Sequence, residues 1–503
     1  MQNYFVGIDN GGSVTKAVVF DAAGREVACA AERVPVIHSH PGFTERDMEA
    51  LWRANVDVIR DVVAASAVDP RRIAGIACTG HGKGMYLWGT DDRPAANGIV
   101  STDTRAWAYP DEWKRNGVSA DAFPKIMQTP LACQPAALWR WFQDNAPEVL
   151  QRVRWLFSVK DYIRFRLTGE AWAEMTDYSG SGLMNLAETR FDRELLDVFG
   201  IADVYDRLPP LCGSTALCGT VTEEAARLTG LMAGTPVAAG MFDIDACAVA
   251  MDVTDETNLC VVAGTWGINE YVSRKPVLDG SIHMNSLFCA PGYYLVEESS
   301  PTSVSNNDWF IDVFMESEKT LAQQRGVSLH ALAEELAASM GMDEPPILFL
   351  PFLYGSNDNP QARACFLGLE SSHSRPHLIR AVLEGVVFSH RVHVERLLAG
   401  RSRPEAVRLA GGAVNNRVWC QIFADVLGLP IETVDTRELG ALGAAMAAAV
   451  ATGGYPDLKA AARAMVRIAD RLEPDLGKKP EYDKKFGLFT AASAALDGLW
   501  KRF

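Results

Sequence analysis

The sequence lacks the patterns of several common protein classes. Its ten cysteines contain no Cys-x-x-Cys pair, so it predicts neither a zinc site nor a disulfide framework. It has no block of Lys or Arg, and its formal net charge of −15 argues against nucleic acid or an anionic membrane as the main partner. The opening stretch MQNYFVGIDN lacks the charged and apolar regions of a signal peptide. We therefore expect a reduced, cytoplasmic protein.

Long hydrophobic runs are also missing. The most apolar late segment, Gly440–Gly454, is too short and too rich in small residues to span a bilayer, and it predicts a helix packed closely on a neighbour. The pattern G-x-x-x-x-G-K-[ST] does not occur, which excludes a P-loop. With 503 residues, of which 48% are hydrophobic, the chain is long enough for two or more domains with substantial cores.

The same order of predicted elements occurs twice along the chain. A β-hairpin near the N-terminus is followed by a helix over Asp47–Ala65 and a strand over Ile73–Gly80. A strand over Thr235–Asp243, a hairpin over Asn258–Val272 and a helix from His377 to about Leu398 follow later. We predict an α/β fold of two related domains, residues 1–245 and 246–503. The second would end in a helical appendage from Tyr455 onward.

Glycine-rich turns carry the first chemical signal. In GIDNGGSVTK, the amides of Gly11 and Gly12 can approach an anion, and Ser13, Thr15 and Lys16 add further donors. Asp9 ends the preceding strand, where a carboxylate suits Mg²⁺ beside phosphates. An ordinary Asn-Gly hairpin turn is the alternative.

Two later turns have the same character. AGTWG contains Gly264 and Thr265 at a hairpin bend. AGGAVNNRVW places a strand, a di-glycine turn and a helix in succession, which leaves room for an adenine base and brings helix amides near phosphates. A plain strand-to-helix turn is the alternative for the second.

Two aspartates stand in the apolar run AAGMFDIDACA. Phosphoryl transfer to a hydroxyl needs a carboxylate that accepts the proton, and an aspartate at the end of a strand is suited to this role. Aspartate is also a preferred helix N-cap. The residues alone do not decide between these roles for Asp243 and Asp245.

Taken in order, these motifs resemble the FGGY carbohydrate kinase family. PGFTERDMEALW (Pro41–Trp52) and ACFLGLESSHSRPHLIRAVLE (Ala364–Glu384) carry the resemblance, and QPAALWRWFQDN meets a third family pattern only in part, with Leu138 in place of the usual lysine. The resemblance implies two actin-like (ribonuclease H-like) ATPase domains flanking a deep cleft. It also implies ATP and Mg²⁺ as cofactors and a small sugar or polyol as substrate. The sequence does not decide whether the chain forms a homodimer.

The resemblance also assigns roles to residues. Asp243, with Ala246 in a D-x-x-A pattern, becomes the catalytic base, although Phe242 replaces the family glycine, and Asp245 starts the next helix, where it can cap free amides. Asp9 and Asp243 become the Mg²⁺ ligands. The nucleotide-binding residues become Gly11, Gly12, Ser13, Thr15, Lys16, Gly264, Thr265, Gly411, Gly412, Ala413 and Asn416.

The substrate is suggested by the segment after the strand Ile73–Gly80. Its sequence GHGKG, with the segments STDTRA, SPTSVSNNDWF and LPFLYGSN, looks most like the L-xylulose kinase branch of the family. We expect phosphorylation of the terminal hydroxyl of a ketopentose, with His81, Gly82, Lys83, Asp103 and Asp243 binding the sugar. A kinase for glycerol, erythritol or another polyol is the nearest alternative. A non-kinase actin-like ATPase or sugar sensor is the alternative from another class.

Overall fold

The computed structural model describes residues 3–282, 284–341, 346–356 and 358–503. They form two compact units that are interleaved along the chain. The first contains Met1–Thr254, Val272–Leu295 and Thr436–Val466, and the second contains Asp255–Tyr271, Val296–Asp435 and Arg467–Phe503. The division at residue 245 stays a prediction about how the sequence is partitioned.

The first unit is built on a six-stranded mixed sheet. Tyr4–Asn10 pairs antiparallel with Val14–Asp21 to form the predicted hairpin, and it pairs parallel with Ile73–Gly80 on its other side. Ile73–Gly80 in turn pairs parallel with Pro236–Phe242. The strand order is Leu217–Thr220, Pro236–Phe242, Ile73–Gly80, Tyr4–Asn10, Val14–Asp21 and Glu26–Arg33.

The second unit repeats this pattern. Asn258–Ala263 pairs antiparallel with Gly267–Ser273 and parallel with Ala406–Gly411, which pairs parallel with Ile431–Val434. Six strands lie in the order Tyr294–Ser300, Gly267–Ser273, Asn258–Ala263, Ala406–Gly411, Ile431–Val434 and Ile468–Leu472. In both units a hairpin strand therefore lies beside two further parallel strands, as the repeated order of sequence elements predicts.

The small-residue segment forms the predicted closely packed helix. It spans Leu439–Ala451, and most of its residues are buried. A Cβ at Gly7, on the first strand, would lie 1.8 Å from the carbonyl oxygen of Ala441. Only glycine allows the helix backbone to approach the strand this closely. Within the residues that the structure describes, no helix is long and apolar enough to cross a membrane.

The remaining elements surround these sheets. The other helices of the first unit are Met48–Ser66, Ala108–Arg115, Val118–Ile126, Pro135–Asn145, Pro147–Leu150, Val159–Thr168, Met175–Ser179, Arg193–Val198, Glu223–Thr229, Asp243–Ala250 and Leu458–Met465. Those of the second unit are Ser305–Phe314, Glu318–Arg325, Leu329–Ala338, Arg375–Leu398, Arg417–Leu427 and Lys479–Asp497. Short 3₁₀ helices span Pro70–Arg72, Ala202–Arg207, Gly412–Asn415 and Trp500–Arg502. Short strands span Glu45–Arg46, Tyr86–Gly89, Gly98–Ile99, Val153–Phe157, Ala173–Glu174, Met184–Asn185, Arg190–Phe191, Leu211–Cys212, Met284–Leu287, Leu348–Leu350 and Cys365–Leu367.

One predicted region differs from the structure. The stretch from Tyr455 onward was expected to be helical, but it also contains the strand Ile468–Leu472, which pairs antiparallel with Ile431–Val434. This strand is short and mostly exposed, so it carries little of the hydrophobic alternation by which strands are recognised. The stretch also contains the expected helices, Leu458–Met465 and Lys479–Asp497, so the difference is this one strand.

Candidate active site

Asp243 stands where a buried strand ends and a helix begins. The strand is Pro236–Phe242, and Asp243 is the first residue of the helix Asp243–Ala250. The amide of Phe242 donates to Thr176 Oγ1 at 2.9 Å, which fixes the backbone just before the aspartate. An aspartate held at the carboxyl end of a central parallel strand is in a favourable position for a ligand site.

Charged groups of the first unit act on Asp243. Burial raises its pKa well above the ordinary value, and the negative charges of Asp9 and Asp177 raise it further. The ammonium of Lys83 acts in the opposite direction. Because a raised pKa makes a carboxylate a better proton acceptor, the surroundings of Asp243 suit a general base. Three residues distant in sequence are thus close enough to influence one carboxylate.

Asp9 lies at the end of the first hairpin strand. Burial raises its pKa to about 6; Lys16 opposes this shift and Glu438 adds to it. Lys16 Nζ forms an ion pair with Glu438 Oε2 at 2.7 Å, so its charge is already partly neutralised. A Cβ at Gly440 would lie 2.5 Å from Asp9 Oδ2, so the start of the small-residue helix leaves space for this carboxylate.

The residues of this region fit a magnesium ion. Asp9 and Asp243 are two half-buried carboxylates, and the charge of the first raises the pKa of the second. A divalent cation with a preference for oxygen ligands would relieve that repulsion. Among the described residues, no group of three or more His, Cys, Asp or Glu side chains is arranged to hold a metal by itself. Mg²⁺ at this place would therefore need further oxygen ligands, as phosphate-bound Mg²⁺ does.

Asp245 has a different environment. Its side chain is fully buried, and its Oδ1 accepts from the backbone amide of Cys289 at 2.9 Å. Burial raises its pKa well above the ordinary value, with Glu174 as the next cause. The prediction that Asp245 caps the amides of its own helix is wrong, because its carboxylate holds a different chain segment.

A buried charged cluster lies on the elements behind Asp243, and sequence analysis missed it. Lys160 Nζ contacts Asp161 Oδ1 at 2.8 Å, Glu174 Oε2 at 3.2 Å and Asp177 Oδ2 at 3.6 Å, and all four side chains are buried. Burial raises the pKa of Asp177 to about 7, and the charge of Asp161 adds to that effect against Lys160. The helix Val159–Thr168 carries Lys160 and Asp161 next to each other, but nothing in the sequence shows that Glu174 and Asp177 lie beside them.

This cluster is linked to the strand that carries Asp243. Thr176 Oγ1, which accepts from the Phe242 amide, donates to Glu174 Oε2 at 2.8 Å. Arg164, which pairs with Asp161 at 2.7 Å, donates to the carbonyl oxygen of Ala239 at 3.0 Å. The cluster therefore holds the strand at two points, and one of its carboxylates, that of Asp177, acts electrostatically on Asp243.

Both ring nitrogens of His81 have hydrogen-bond partners within the protein. Its Nδ1 faces the carbonyl oxygen of Gly82 at 3.3 Å, so this nitrogen carries the proton, and Nε2 accepts from the hydroxyl of Tyr86 at 3.0 Å. Burial lowers the pKa of His81 to about 4, and the charge of Arg46 contributes to the shift. The imidazole is therefore neutral.

Lys83 follows this buried histidine by two residues and is half-buried. Its φ of 61° is in the left-handed region, where a side chain other than glycine is uncommon. In the part of the chain that the structure describes, its Nζ has a 3.9 Å contact with Met284 Sδ and no carboxylate within ion-pair distance. Lys83 and Asp177 both line one small cavity, together with Tyr178 and Ser181. An ammonium at a cavity, with no ion-pair partner among the described residues, is suited to bind a polar ligand.

Asp103 is placed differently from the expectation. Its carboxylate accepts from the amide of Thr44 at 2.7 Å and from Arg105 Nη2 at 2.8 Å, and its side chain is fully buried. Arg105 also pairs with Glu45 at 2.7 Å. Because these donors occupy the carboxylate, its geometry argues against direct contact with a sugar.

The first glycine turn presents its backbone to solvent. Gly12 and Ser13 are exposed, and the amide of Gly11 donates to Val14 O at 3.0 Å to close the turn. Thr15 is buried, and its hydroxyl lies 3.1 Å from Asn10 Oδ1 and 3.2 Å from Asn55 Oδ1. The amides of Gly12 and Ser13 are therefore available to a ligand, whereas the Gly11 amide and the Thr15 hydroxyl are engaged in the fold.

The corresponding turn of the second unit is also exposed at Thr265. Carbonyl oxygens of this turn accept from the segment before the helix Ser305–Phe314: Gly264 O from the amide of Val304 at 2.9 Å, and Thr265 O from that of Ser303 at 3.2 Å. Hydrogen bonds to these two carbonyl oxygens thus hold the turn in place. The motif LPFLYGSN, which belongs to the same unit, ends in Asn357, outside the described residues.

The third turn combines a glycine with a helix cap. Gly411 has φ +88°, and a Cβ there would lie 2.3 Å from Ala263 O, so this position requires glycine. Gly412 and Ala413 continue into a short 3₁₀ helix, with Ala413 buried. Asn416 Oδ1 then caps the helix Arg417–Leu427 by accepting from the amide of Trp419 at 2.7 Å. The predicted succession of strand, turn and helix is confirmed.

These features occur in a recognised pair of domains. The family model for the N-terminal domain of the FGGY family of carbohydrate kinases matches residues 4–250, and that for the C-terminal domain matches residues 259–452. The chain belongs to the FGGY family of carbohydrate kinases. As a member of this family it is a sugar phosphotransferase, which confirms the enzyme class predicted from its motifs.

Individual relatives of this FGGY kinase match along its whole length. The L-xylulose/3-keto-L-gulonate kinase of Escherichia coli (strain K12) is 36% identical, with 100% of this chain and 99% of the relative covered. A probable L-xylulose kinase of Pasteurella multocida (strain Pm70) is 33% identical, with 99% and 100% covered. The crystal structure of gluconate kinase from Lactobacillus acidophilus superposes with a TM-score of 0.91 at 24% identity, covering 100% of both chains. This likeness confirms the predicted fold class, two α/β domains of the actin-like ATPase type.

Proposed function

We propose that this FGGY kinase transfers the γ-phosphoryl group of ATP to the terminal hydroxyl of L-xylulose. The similarity to two kinases named for L-xylulose supports the choice of sugar. The single observation that carries the mechanism is the environment of Asp243: a carboxylate at the end of a strand whose pKa is raised by burial and by the charges of Asp9 and Asp177.

In the proposed reaction, Asp243 accepts the proton of the terminal hydroxyl as its oxygen bonds to the γ-phosphorus. The bond from that phosphorus to the β–γ bridging oxygen breaks, and ADP leaves. Amides of Gly12 and Ser13 contribute phosphate contacts from the first unit. Gly264, Thr265 and the Gly411–Asn416 segment contribute nucleotide contacts from the second unit. Positioned donors of this kind stabilise the charge that develops on the transferred group.

Asp9 and Asp243 would hold Mg²⁺, which supplies charge neutralisation for the phosphate oxygens when bound. Lys16 would then act mainly by keeping Glu438 neutralised near Asp9, because those two side chains form an ion pair at 2.7 Å. The net negative charge of −15 fits a small-molecule substrate better than nucleic acid, and we propose that the protein acts in the cytoplasm.

A coupled assay of ADP release over L-xylulose, D-xylulose, erythritol, glycerol and gluconate tests the choice of sugar. We expect kcat/KM for L-xylulose to exceed that for every other sugar by about tenfold or more. Phosphorus NMR of the product would show the phosphate on the terminal carbon. A higher kcat/KM for glycerol or erythritol would reject L-xylulose in favour of a polyol.

A second acceptor class, an acidic keto sugar such as 3-keto-L-gulonate, is favoured by Lys83. Its ammonium has no carboxylate within ion-pair distance among the described residues, and it lines the cavity beside Asp177. A sugar carboxylate would supply the missing counter-ion. Lys83→Met should raise KM for 3-keto-L-gulonate by about tenfold more than KM for L-xylulose, since only the first loses an ion pair. An equal rise for both would limit Lys83 to hydroxyl contacts.

A further inference from the structure

Two cysteines of the first unit lie next to each other without being bonded. Cys212 ends the short strand Leu211–Cys212, and Cys218 lies in the strand Leu217–Thr220. Both are free thiols, and their sulfur atoms are 3.6 Å apart. Cys212 is partly exposed and Cys218 is buried. A disulfide needs about 2.05 Å between the sulfurs, so an approach of about 1.5 Å would bond them.

The loop between these cysteines is tied to the strand that carries Asp243. The amide of Ala239, on the strand Pro236–Phe242, donates to the carbonyl oxygen of Ala216 at 2.9 Å. Leu217 pairs with Ala238 in the same sheet. A displacement of the loop therefore acts directly on the last strand before Asp243.

A second route runs through Glu174. Ser214, inside the same loop, donates to Glu174 Oε1 at 2.7 Å, and Cys212 pairs with Glu174 in the parallel strand register. Glu174 Oε2 accepts from Thr176 Oγ1 at 2.8 Å, and that hydroxyl accepts from the amide of Phe242 at 2.9 Å. Three hydrogen bonds thus connect the cysteine loop to the residue immediately before Asp243.

The electrostatic environment favours ionisation of one thiol. The hydrogen bond from Cys212 lowers the pKa of Cys218, and the charge of Arg164 lowers it further. Lys160 acts in the same direction, whereas burial and the charge of Asp161 oppose it. A thiolate is the species that reacts with peroxides and disulfides.

We propose that Cys212 and Cys218 form a reversible disulfide that slows the kinase by displacing the loop bonded to the Asp243 strand. With a peroxide as oxidant, one thiolate attacks the O–O bond and becomes a sulfenic acid, and the peroxide's second oxygen leaves as hydroxide. The other thiol then attacks the sulfenic sulfur, and water leaves as the S–S bond forms. Two thiols are oxidised by two electrons and one peroxide is reduced to two waters. A dithiol reductant reverses the reaction by exchange. The effect on rate rests on the proposed function, whereas the bond itself does not.

The experiment treats the full-length protein with hydrogen peroxide, blocks remaining thiols with iodoacetamide and digests it with trypsin. Both cysteines lie on one expected peptide, Leu208–Arg227, which has no internal Lys or Arg. We expect this peptide to become lighter by two hydrogen atoms and to escape alkylation at both positions. Dithiothreitol should restore alkylation at both. Alkylation of both cysteines under conditions that oxidise exposed Cys29 would overturn the proposal.

The functional part is measured on the same samples. Oxidation should lower kcat for L-xylulose about tenfold, since a small misplacement of a catalytic group has effects of this size, and reduction should restore it. Cys212→Ser and Cys218→Ser should keep normal activity and lose the sensitivity, whereas Cys29→Ser should stay sensitive. Formation of the disulfide with unchanged kcat would reject the coupling to Asp243.

Hydrogen exchange of backbone amides tests the link between the disulfide and the Asp243 strand without any substrate. Oxidation should accelerate exchange of the Phe242 amide, because the chain of bonds through Glu174 is displaced. If no sugar is phosphorylated by the reduced protein, the proposed function fails, while the peptide mass and the Phe242 exchange still decide the disulfide and its link to the strand. Unchanged exchange in the oxidised protein would reject the link.

Discussion

The phenyl ring of Phe242 lies against Gly82, so that a Cβ at position 82 would be 2.2 Å from the ring carbon Cε2. Phe242 stands where the family pattern has a glycine, and its ring occupies the space that a side chain at position 82 would need. The ring therefore lies at Gly82, which stands between His81 and Lys83 in the chain. The residue before the candidate base and the candidate sugar segment are directly packed together.

Gly82→Ala should raise KM for the sugar about tenfold or more, because the new methyl group displaces either Phe242 or the Lys83 segment. The double variant Gly82→Ala, Phe242→Ala should recover part of the loss, since the ring is gone. Gly487→Ala, where a Cβ would have nothing within 4 Å, is the matched control and should leave kinetics unchanged. Equal KM values for all three variants would contradict the packing argument.

Asp9→Asn should stabilise the metal-free protein at pH 8 by about 1–3 kcal/mol while removing kinase activity. Burial raises the pKa of Asp9 to about 6 from the ordinary value of 3.8. The protonated side chain therefore adds to the free energy of unfolding below the unfolded pKa, and this contribution is lost as the pH rises through about 6. Denaturant unfolding at pH 4 and pH 8, without Mg²⁺, measures this. If Asp9→Asn raised the free energy of unfolding more at pH 4 than at pH 8, the raised pKa of Asp9 would be contradicted.

Much of the architecture was predictable because hydrophobic periodicity follows the sheets and long helices. The helix predicted over Asp47–Ala65 is Met48–Ser66, with Asp47 accepting from the amide of Ala50 as its N-cap. The strand Ile73–Gly80 has the predicted bounds. The helix predicted from His377 begins two residues earlier, at Arg375, because Pro376 fits its first turn.

The site was less predictable because it depends on contacts between distant segments. Asp243 and Asp245 are the same residue type in the same apolar run, so the residues alone do not tell their roles apart. The contact of Asp245 with the Cys289 amide distinguishes the two. The sequence predicts that Asp103 binds the sugar, but its pairing with Arg105 is visible only in three dimensions. The Lys160 cluster joins residues from two helices and a short strand, and no local spacing in the sequence reveals it.

Lys160→Met should destabilise the protein by about 3–5 kcal/mol, since removal of one partner leaves buried carboxylates uncompensated. It should also raise the pKa of Asp177, which Lys160 now lowers. Denaturant midpoints report the first effect. Lys484→Met, at an exposed position with only a 3.9 Å pair, is the matched control and should not shift the midpoint. Equal midpoints for the two variants would contradict a role for the cluster.

Asp103→Asn should lower stability by about 2–4 kcal/mol and change KM for the sugar by less than about twofold, because the carboxylate binds Thr44 and Arg105 rather than a ligand. Asp69→Asn offers a control with the same spacing, because Asp69 pairs with Arg71 at an exposed site. That control should leave the unfolding midpoint unchanged. A large rise in KM with normal stability would restore Asp103 as a sugar contact.

The assignment of Asp243 as the proton acceptor is the central claim, and the neighbouring aspartate provides its control. Asp243→Asn and Asp245→Asn should be compared in sugar-dependent ADP release, with folding checked by circular dichroism. We expect kcat to fall about a thousandfold or more for Asp243→Asn. Asp245→Asn should keep kcat within about tenfold, because an amide oxygen can still accept from Cys289. A folded Asp243→Asn variant with near-normal kcat, or an equal loss in both variants, would contradict the account.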